Sequence, residues 1–450
     1  MNRLSSLLFL AAALLLSASL LPLACDGKKN VLFLAVDDLR IQLGVDRVPG
    51  TPIMRTPNLD NLINQSLFLR KAQVQQAVCS PTRTSILTSR YPDTTRVWDL
   101  YSWFRTVGGN YTTIPELFKN NGYRTIGGGK IFHPGHASGA NSSIPGTSPK
   151  GDDAPYSWSN DVSFFHAPND QYWSGKTAIP GCSGCGNSWI AVSPEAEKKK
   201  PLPGTQIADF AVNALRNFSQ NGIGNVNDGE QPFFLAVGFH KPHLPFVSPE
   251  RFFQSYPEDE IELPGDQNPP SDMPSVAWSN WGELRAYRDI AALGNSGLPG
   301  DHLPANVTKA LRRAYYAAVS FTDANIGKVL DALEENGFEN DTVITFWGDH
   351  GWQLGEHGEW CKHTNFDLAT NAPMFIRIPG LTDSGIVTSV PTEYLDLMPT
   401  LAEAAMDFKV PSCPSDAQKA RDVKLCTHGV SLLPLIDEPT KSLKAAAYSQ

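Results

Sequence analysis

Short apolar, β-branched-rich runs alternate along this chain with stretches of helical period, the pattern of a mostly parallel sheet covered by helices. Residues 31–36 read as the first strand, and 123–126, 233–237 and 342–347 read as further strands, each ending in polar residues. Residues 57–65 read as a helix with proline near its start, and 114–120 as a second, closed by Gly122. Residues 205–218 form an amphipathic pattern, and 307–335 a long helical one ended by Gly337. The stretch 134–203 is rich in Gly, Ser, Pro and Asn, so it reads as a long ordered excursion with little regular structure, its Lys198 to Lys200 run as a solvated loop. No internal repeat is evident. The pattern gives one large α/β domain over residues 25–440, and residues 441–450 read as the start of a smaller C-terminal subdomain cut short.

Composition narrows the class. With 450 residues and 41% hydrophobic positions the chain can bury a large core. A net charge of −9 gives no basic stripe, which argues against a nucleic-acid partner held through its phosphates. An anionic ligand must instead meet locally placed cations. Residues 1–24 read as a secretory signal peptide, with Arg3 before a Leu/Ala run and small residues approaching Ala24; an uncleaved anchor is the alternative. Cysteines number seven, an odd count, with Cys25 at the cleavage point. Sequons at Asn64, Asn110, Asn141, Asn217, Asn306 and Asn340 agree with secretion.

Candidate chemistry clusters just after the predicted strands, where open parallel sheets place their ligands. Asp37-Asp38, Lys130 with His133, His240 with His243, and Asp349-His350 follow the four strands and outline one pocket. An isolated Asp-Asp is ordinarily a turn or cap. Two acidic pairs on two strand ends favour a shared hard cation, Ca²⁺ or Mg²⁺. Cys79 precedes Pro81 and a helix over residues 82–89 that carries Arg83 on its first turn, a positive end suited to an anion; a structural thiol is the bland alternative. The histidines lie beside prolines and could merely pack. Lys130 after Gly127-Gly128-Gly129 could cradle a phosphate-type group, on weak evidence.

Cys79-Ser80-Pro81-Thr82-Arg83, followed by Thr84-Ser85-Ile86-Leu87-Thr88-Ser89-Arg90, resembles the signature of the formylglycine-dependent sulfatase family. Within that family the chain is most similar to the branch acting on iduronate 2-sulfate, through Gln76-Ala77-Val78-Cys79, Gly129-Lys130-Ile131-Phe132-His133-Pro134-Gly135, His240-Lys241-Pro242-His243 and Asp349-His350-Gly351-Trp352. The resemblance implies an alkaline-phosphatase-like α/β fold. It implies that a formylglycine-generating enzyme oxidises Cys79 during secretion, and that Asp37, Asp38, Asp349, His350 and the modified Cys79 hold Ca²⁺. The hydrated aldehyde, a gem-diol, would attack sulfur and pass through a covalent sulfate ester. Arg83 would favour its ionised form, Lys130 and Lys362 would stabilise sulfate charge, His240 would protonate the leaving alcohol, and His133 would act as the base that re-forms the aldehyde. Trp352 and His363 would contact substrate, and Cys413 would pair with Cys426.

Three departures bear on specificity. Cys361 and His363 flank Lys362 where a small residue and an aromatic one are expected, Cys182 and Cys185 are closer than the pair expected there, and the usual C-terminal domain does not follow. Cys182–Cys185 reads as a strained small-loop disulfide, with a zinc half-site as alternative. The resulting expectation is an exo-acting sulfatase, lysosomal or extracellular, removing the 2-O-sulfate from a terminal uronic acid of dermatan or heparan sulfate type glycosaminoglycans. Rivals are a sulfatase for another carbohydrate, a phosphoesterase of the wider fold, and a catalytically silent secreted protein that binds sulfated glycans.

Overall fold

The structure is a computed structural model describing residues 27–45, 51–140, 149–168, 175–178 and 186–450. The signal segment, Cys25, Cys182 and Cys185 lie outside the described residues. Seven strands form the central sheet: β1 (Asn30–Val36), β2 (Leu67–Leu69), β3 (Arg124–Gly129), β4 (Phe233–Phe239), β5 (Thr342–Gly348), β6 (Met374–Arg377) and β7 (Ile386–Thr388), in the spatial order β7-β2-β6-β5-β1-β4-β3. The stretch β5-β1-β4-β3 is parallel throughout, while β6 runs antiparallel to both β5 and β2. Its middle strands are buried on both faces, which is why they read as unbroken apolar runs.

Because successive strand residues point to opposite faces, β1 feeds two cores. Leu32, Leu34 and Val36 join one cluster with Ile207, Ala211 and Leu215 of α4 (Pro203–Gln220) and with Leu311, Tyr315 and Val319 of α5 (Ala305–Glu335). Val31, Phe33 and Ala35 join the other, with Ile86 and Leu87 of α2 (Cys79–Thr88), Leu117 and Phe118 of α3 (Ile114–Asn120), and Leu397 and Leu401 of α6 (Leu397–Met406). Helix α1 (Pro57–Ile63) packs on the first core, its start held by Asp323, which accepts from the Asn58 and Leu59 amides at 3.3 and 2.8 Å.

Two segments differ from the sequence reading. Strand β3 continues through all three glycines of 127–129, so they are sheet and not a phosphate loop. A Cβ on Gly127 would meet Trp158 at 2.7 Å, and one on Gly128 would meet Phe210 at 2.7 Å. The lysine run does not lie in a loop: Lys198 and Lys199 end the helix Pro194–Lys199, which Ser193 caps by accepting from the Ala196 amide at 3.3 Å. Glutamates in its first turn and lysines in its last match the helix dipole. Nearby, Trp189–Val192 pairs with Gly175–Thr177 and Phe246–Pro249 in a small sheet, so the excursion has more regular structure than its composition suggests.

At the carboxyl end, residues 441–450 carry no helix or strand and pack against the main domain. Lys444 Nζ donates to Glu393 at 2.7 Å and to Asp396 at 2.6 Å, and the Gln450 amide donates to the Gln75 carbonyl at 3.0 Å. Cys413 and Cys426 form a disulfide, the expected pairing. Among the described residues no helix is long and apolar enough to cross a membrane.

Candidate active site

Four adjacent parallel strands deliver their next residues to one place. Lys130 follows β3, Asp37 and Asp38 follow β1, His240 follows β4, and Asp349 with His350 follow β5. Adjacency in a parallel sheet aligns the carboxyl ends, and the loops there have no ladder to join, so their polar groups are available to a ligand. Asp38 takes a left-handed turn, φ 58°, and its amide donates to Asp349 Oδ1 at 2.9 Å, which locks the β1 and β5 ends together.

Cys79 opens α2, a helix buried along its whole length, and so places its side chain against these loops. Its Sγ lies 3.3 Å from His350 Nε2, 3.5 Å from Lys362 Nζ, 3.6 Å from Asp37 Oδ1 and 4.0 Å from Asp38 Oδ1. Arg83, one turn along, bridges the carboxylates: Nε donates to Asp349 Oδ2 at 2.9 Å and NH2 to Asp37 Oδ1 at 3.2 Å, while NH1 donates to the Lys130 and Ile131 carbonyls. Lys130 Nζ donates to Asp37 Oδ2 at 2.5 Å and Lys362 Nζ to Asp38 Oδ1 at 2.7 Å. Burial pushes the Cys79 thiol well above its usual range and outweighs both lysines, so the unmodified side chain is a protonated thiol and a poor nucleophile.

The acceptor atoms of the cluster outnumber the groups that donate to them. Burial would raise Asp37, but Lys130, His243 and Arg83 hold it well below the usual carboxylate range. Asp38 is pushed up to about 7 by burial, with Lys362 opposing and Asp37 adding, and its Oδ2 is buried without a hydrogen bond. His350 Nδ1 lies 3.0 Å from the Gly351 carbonyl, so that nitrogen carries the hydrogen. Burial lowers the ring's pKa, which leaves an Nε2 lone pair 3.3 Å from the Cys79 sulfur and facing Asp38 Oδ1 at 3.5 Å and Asp349 Oδ1 at 3.6 Å. Lone pairs facing carboxylate oxygens repel unless a cation lies between them. Asp37, Asp38, Cys79, Asp349 and His350 all fall in clusters compact enough to hold one, and three carboxylates make the donor set predominantly hard. The residues fit a divalent metal.

A cavity of about 460 Å³ opens beside this cluster, with Asp37, Lys130, His240, Lys241, His243 and Tyr287 among its lining residues. Burial first, then Lys130, lowers His133 and His240 to about 3, so both imidazoles are neutral over the ordinary pH range. His240 Nδ1 is buried without a partner, and His133 Nδ1 lies 3.1 Å from the Pro134 carbonyl, leaving its Nε2 free. Trp352 differs from the expectation of a substrate contact: it is 1% exposed, packs on Phe246, and underlies Lys362 at 5.1 Å. His363 stands half-exposed at the rim, its Nε2 3.8 Å from Glu283 Oε2, while Cys361 is fully buried.

Sequence reasoning missed Glu283, and placed His243 in the pocket without giving it a role. Glu283 Oε1 lies 3.3 Å from Lys362 Nζ and 3.2 Å from His243 Nε2. It sits on a four-residue helix, Gly282–Arg285, inside a stretch with no clear periodicity, so nothing local marked it.

Residues 29–408 match the family described as Sulfatase. The chain is 38% identical to human iduronate 2-sulfatase (Homo sapiens) over 429 residues, covering 90% of this chain and 73% of that protein. The mouse enzyme (Mus musculus) is 37% identical at the same coverage. A solved phosphonate monoester hydrolase from Silicibacter pomeroyi shares the fold, with a TM-score of 0.67 at 21% identity over 93% of this chain and 78% of that one. A family match across most of the chain, meeting strand ends that converge on Cys79, leaves one conclusion: this protein belongs to the sulfatase family and is a sulfuric ester hydrolase.

Proposed function

We propose that this sulfatase removes the 2-O-sulfate from a terminal iduronate-type residue of dermatan or heparan sulfate chains, using Ca²⁺ and a formylglycine derived from Cys79. The observation that carries the reading is the placement of Cys79 Sγ between two buried lysines and the carboxylate cluster, in a chain 38% identical to an iduronate 2-sulfatase. Asp37, Asp38, Asp349, His350 and residue 79 would hold the metal, which supplies positive charge to a sulfate oxygen and to the nucleophile. Formylglycine supplies, as its hydrate, an oxygen nucleophile and a second hydroxyl through which sulfate can be released without attack on carbon.

The chain's own groups do the rest. Lys130 and Lys362, both buried and fully charged, bind the sulfate oxygens where negative charge grows during transfer. Arg83 fixes Asp37 and Asp349 and so orients the ligand set. His240 delivers a proton to the departing sugar oxygen; because it is neutral otherwise, the bound anion must raise its pKa for this step. His133, neutral and with Nε2 free, accepts the proton that leaves residue 79. Residues 25–440 form the catalytic domain, and a formylglycine-generating enzyme of the secretory pathway is the maturation partner. The destination is the lysosome or the extracellular space.

The deciding experiment is mass spectrometry of the Cys79 peptide from a host that makes formylglycine, beside sulfate release from a 2-sulfated iduronide and matched phosphate esters. The expected result is conversion of Cys79, sulfate release, and a loss of at least about a thousandfold in Cys79→Ala. Unmodified thiol together with no sulfate release, or full turnover by Cys79→Ala, would sink it.

A further inference from the structure

Lys130 and Lys362 each contact a carboxylate of the cluster and lie next to residue 79. A third lysine of the same cavity does neither. Lys241 lines the cavity one residue after His240, and its Nζ donates to the His243 carbonyl at 2.6 Å and the Pro245 carbonyl at 2.7 Å. An ammonium has three hydrogens, so one is left, and among the described residues no carboxylate forms a salt bridge with it. Burial lowers it to about 8, with Asp37 and Asp38 opposing from beyond salt-bridge distance, so it is still charged at neutral and acidic pH. The cavity wall beside it is apolar, with Ile190, Leu202, Val247 and Phe321, so little water screens a charge placed there.

We propose that Lys241 is the specificity-determining cation for the substrate's carboxylate: it binds the uronate group of a sugar whose sulfate ester lies at residue 79. The inference rests on the sulfated-uronate reading given above. In a 2-sulfated uronic acid the carboxylate on C5 and the sulfate on C2 project from opposite sides of the pyranose ring. Such a substrate needs a cation away from the sulfate clamp, in the same cavity and not already in a salt bridge. Lys241 meets those three conditions. Its two carbonyl bonds hold the ammonium in one position, which lowers the ordering cost of the contact. An uncharged sugar sulfate would gain nothing from it.

The test compares two probes, a fluorogenic 2-sulfated iduronide and its analogue with the carboxylate reduced to a primary alcohol, on the mature metal-loaded enzyme. Wild type is expected to prefer the acid by at least about tenfold in kcat/KM. Lys241→Gln, which can still donate to the two carbonyls, should erase that preference by raising KM for the acid while leaving the alcohol unchanged. Lys241→Arg should restore part of it. Equal slowing on both probes would make Lys241 only a brace for its loop, and an undiminished preference would assign the carboxylate elsewhere; either overturns the inference. Lys241→Met provides the same comparison should the glutamine variant fail to fold. Wild type that cleaves neither probe, yet releases sulfate from other sulfated sugars, overturns the uronate reading itself and the inference with it.

Discussion

At the scale of single residues, the site works by placing charges where water cannot reach them. Arg83, Lys130 and Lys362 are each 5% exposed or less, yet each faces at least one carboxylate, and the carboxylate oxygen of the cluster left without a hydrogen bond is Asp38 Oδ2. A second buried carboxylate has no cation paired with it among the described residues. Glu359 is wholly buried on the hairpin before Lys362, accepts from the Ser279 amide at 2.9 Å, and is pushed up to about 7 by burial. Its native pKa lies above the unfolded one, so the folded protein keeps a proton that the unfolded chain releases. The stabilisation is therefore complete below the unfolded value, and is lost as pH rises from about 4.5 through about 7. Glu359→Gln removes the titration. Melting temperatures should show the variant gaining on wild type between about pH 5 and 8, by roughly 1–3 kcal/mol at the alkaline end; a difference that ignores pH would refute this.

Among the elements, β3 shows how a local oddity serves the site. Gly129 has φ 81°, and a Cβ there would lie 1.9 Å from the Gly238 carbonyl oxygen, the acceptor of the Lys130 amide. The left-handed turn swings the chain out of the sheet at the point where Lys130 must leave it. Gly129→Ala should cost at least about 2 kcal/mol, from strain and the clash with β4, and should lower kcat as Lys130 shifts. Thermal melting and turnover together check it, with Gly265→Ala as the control, since nothing lies within 4 Å of that position. Helix α2 follows a comparable logic. Its residues are all buried, so no amphipathic period marked it, and its start at Cys79 lies three residues before the helix expected over residues 82–89. The capped helix ending in Lys198 and Lys199 was hidden by the Gly- and Pro-rich composition around it, although Ser193-Pro194 with glutamates and then lysines carried the signal.

For the whole molecule, a metal that binds only the folded state adds stability by mass action. Removing it with a chelator and restoring Ca²⁺ at about a hundred times its Kd should return about 2.7 kcal/mol, a rise of a few degrees in Tm, and Asp38→Asn should abolish most of that rise. Elemental analysis identifies the ion, and absence of both bound metal and any Tm shift would contradict the fit of this donor set. The parallel sheet, its four site-bearing strands and the main helices were legible from periodicity, because strands buried on two faces and helices with one apolar stripe leave repeating patterns. Cys79, Arg83, Asp37, Asp38, Lys130, Asp349 and His350 were legible too, since each sits in a short motif beside a strand or helix end. Tertiary structure alone brought in Glu283, which reaches Lys362 across 79 residues of chain, moved Trp352 beneath that lysine, and set Lys241 in the cavity on two backbone carbonyls, with no carboxylate salt bridge among the described residues. Burial, pairing and the lack of a partner depend on which distant segments meet, and no pattern of neighbouring residues encodes them.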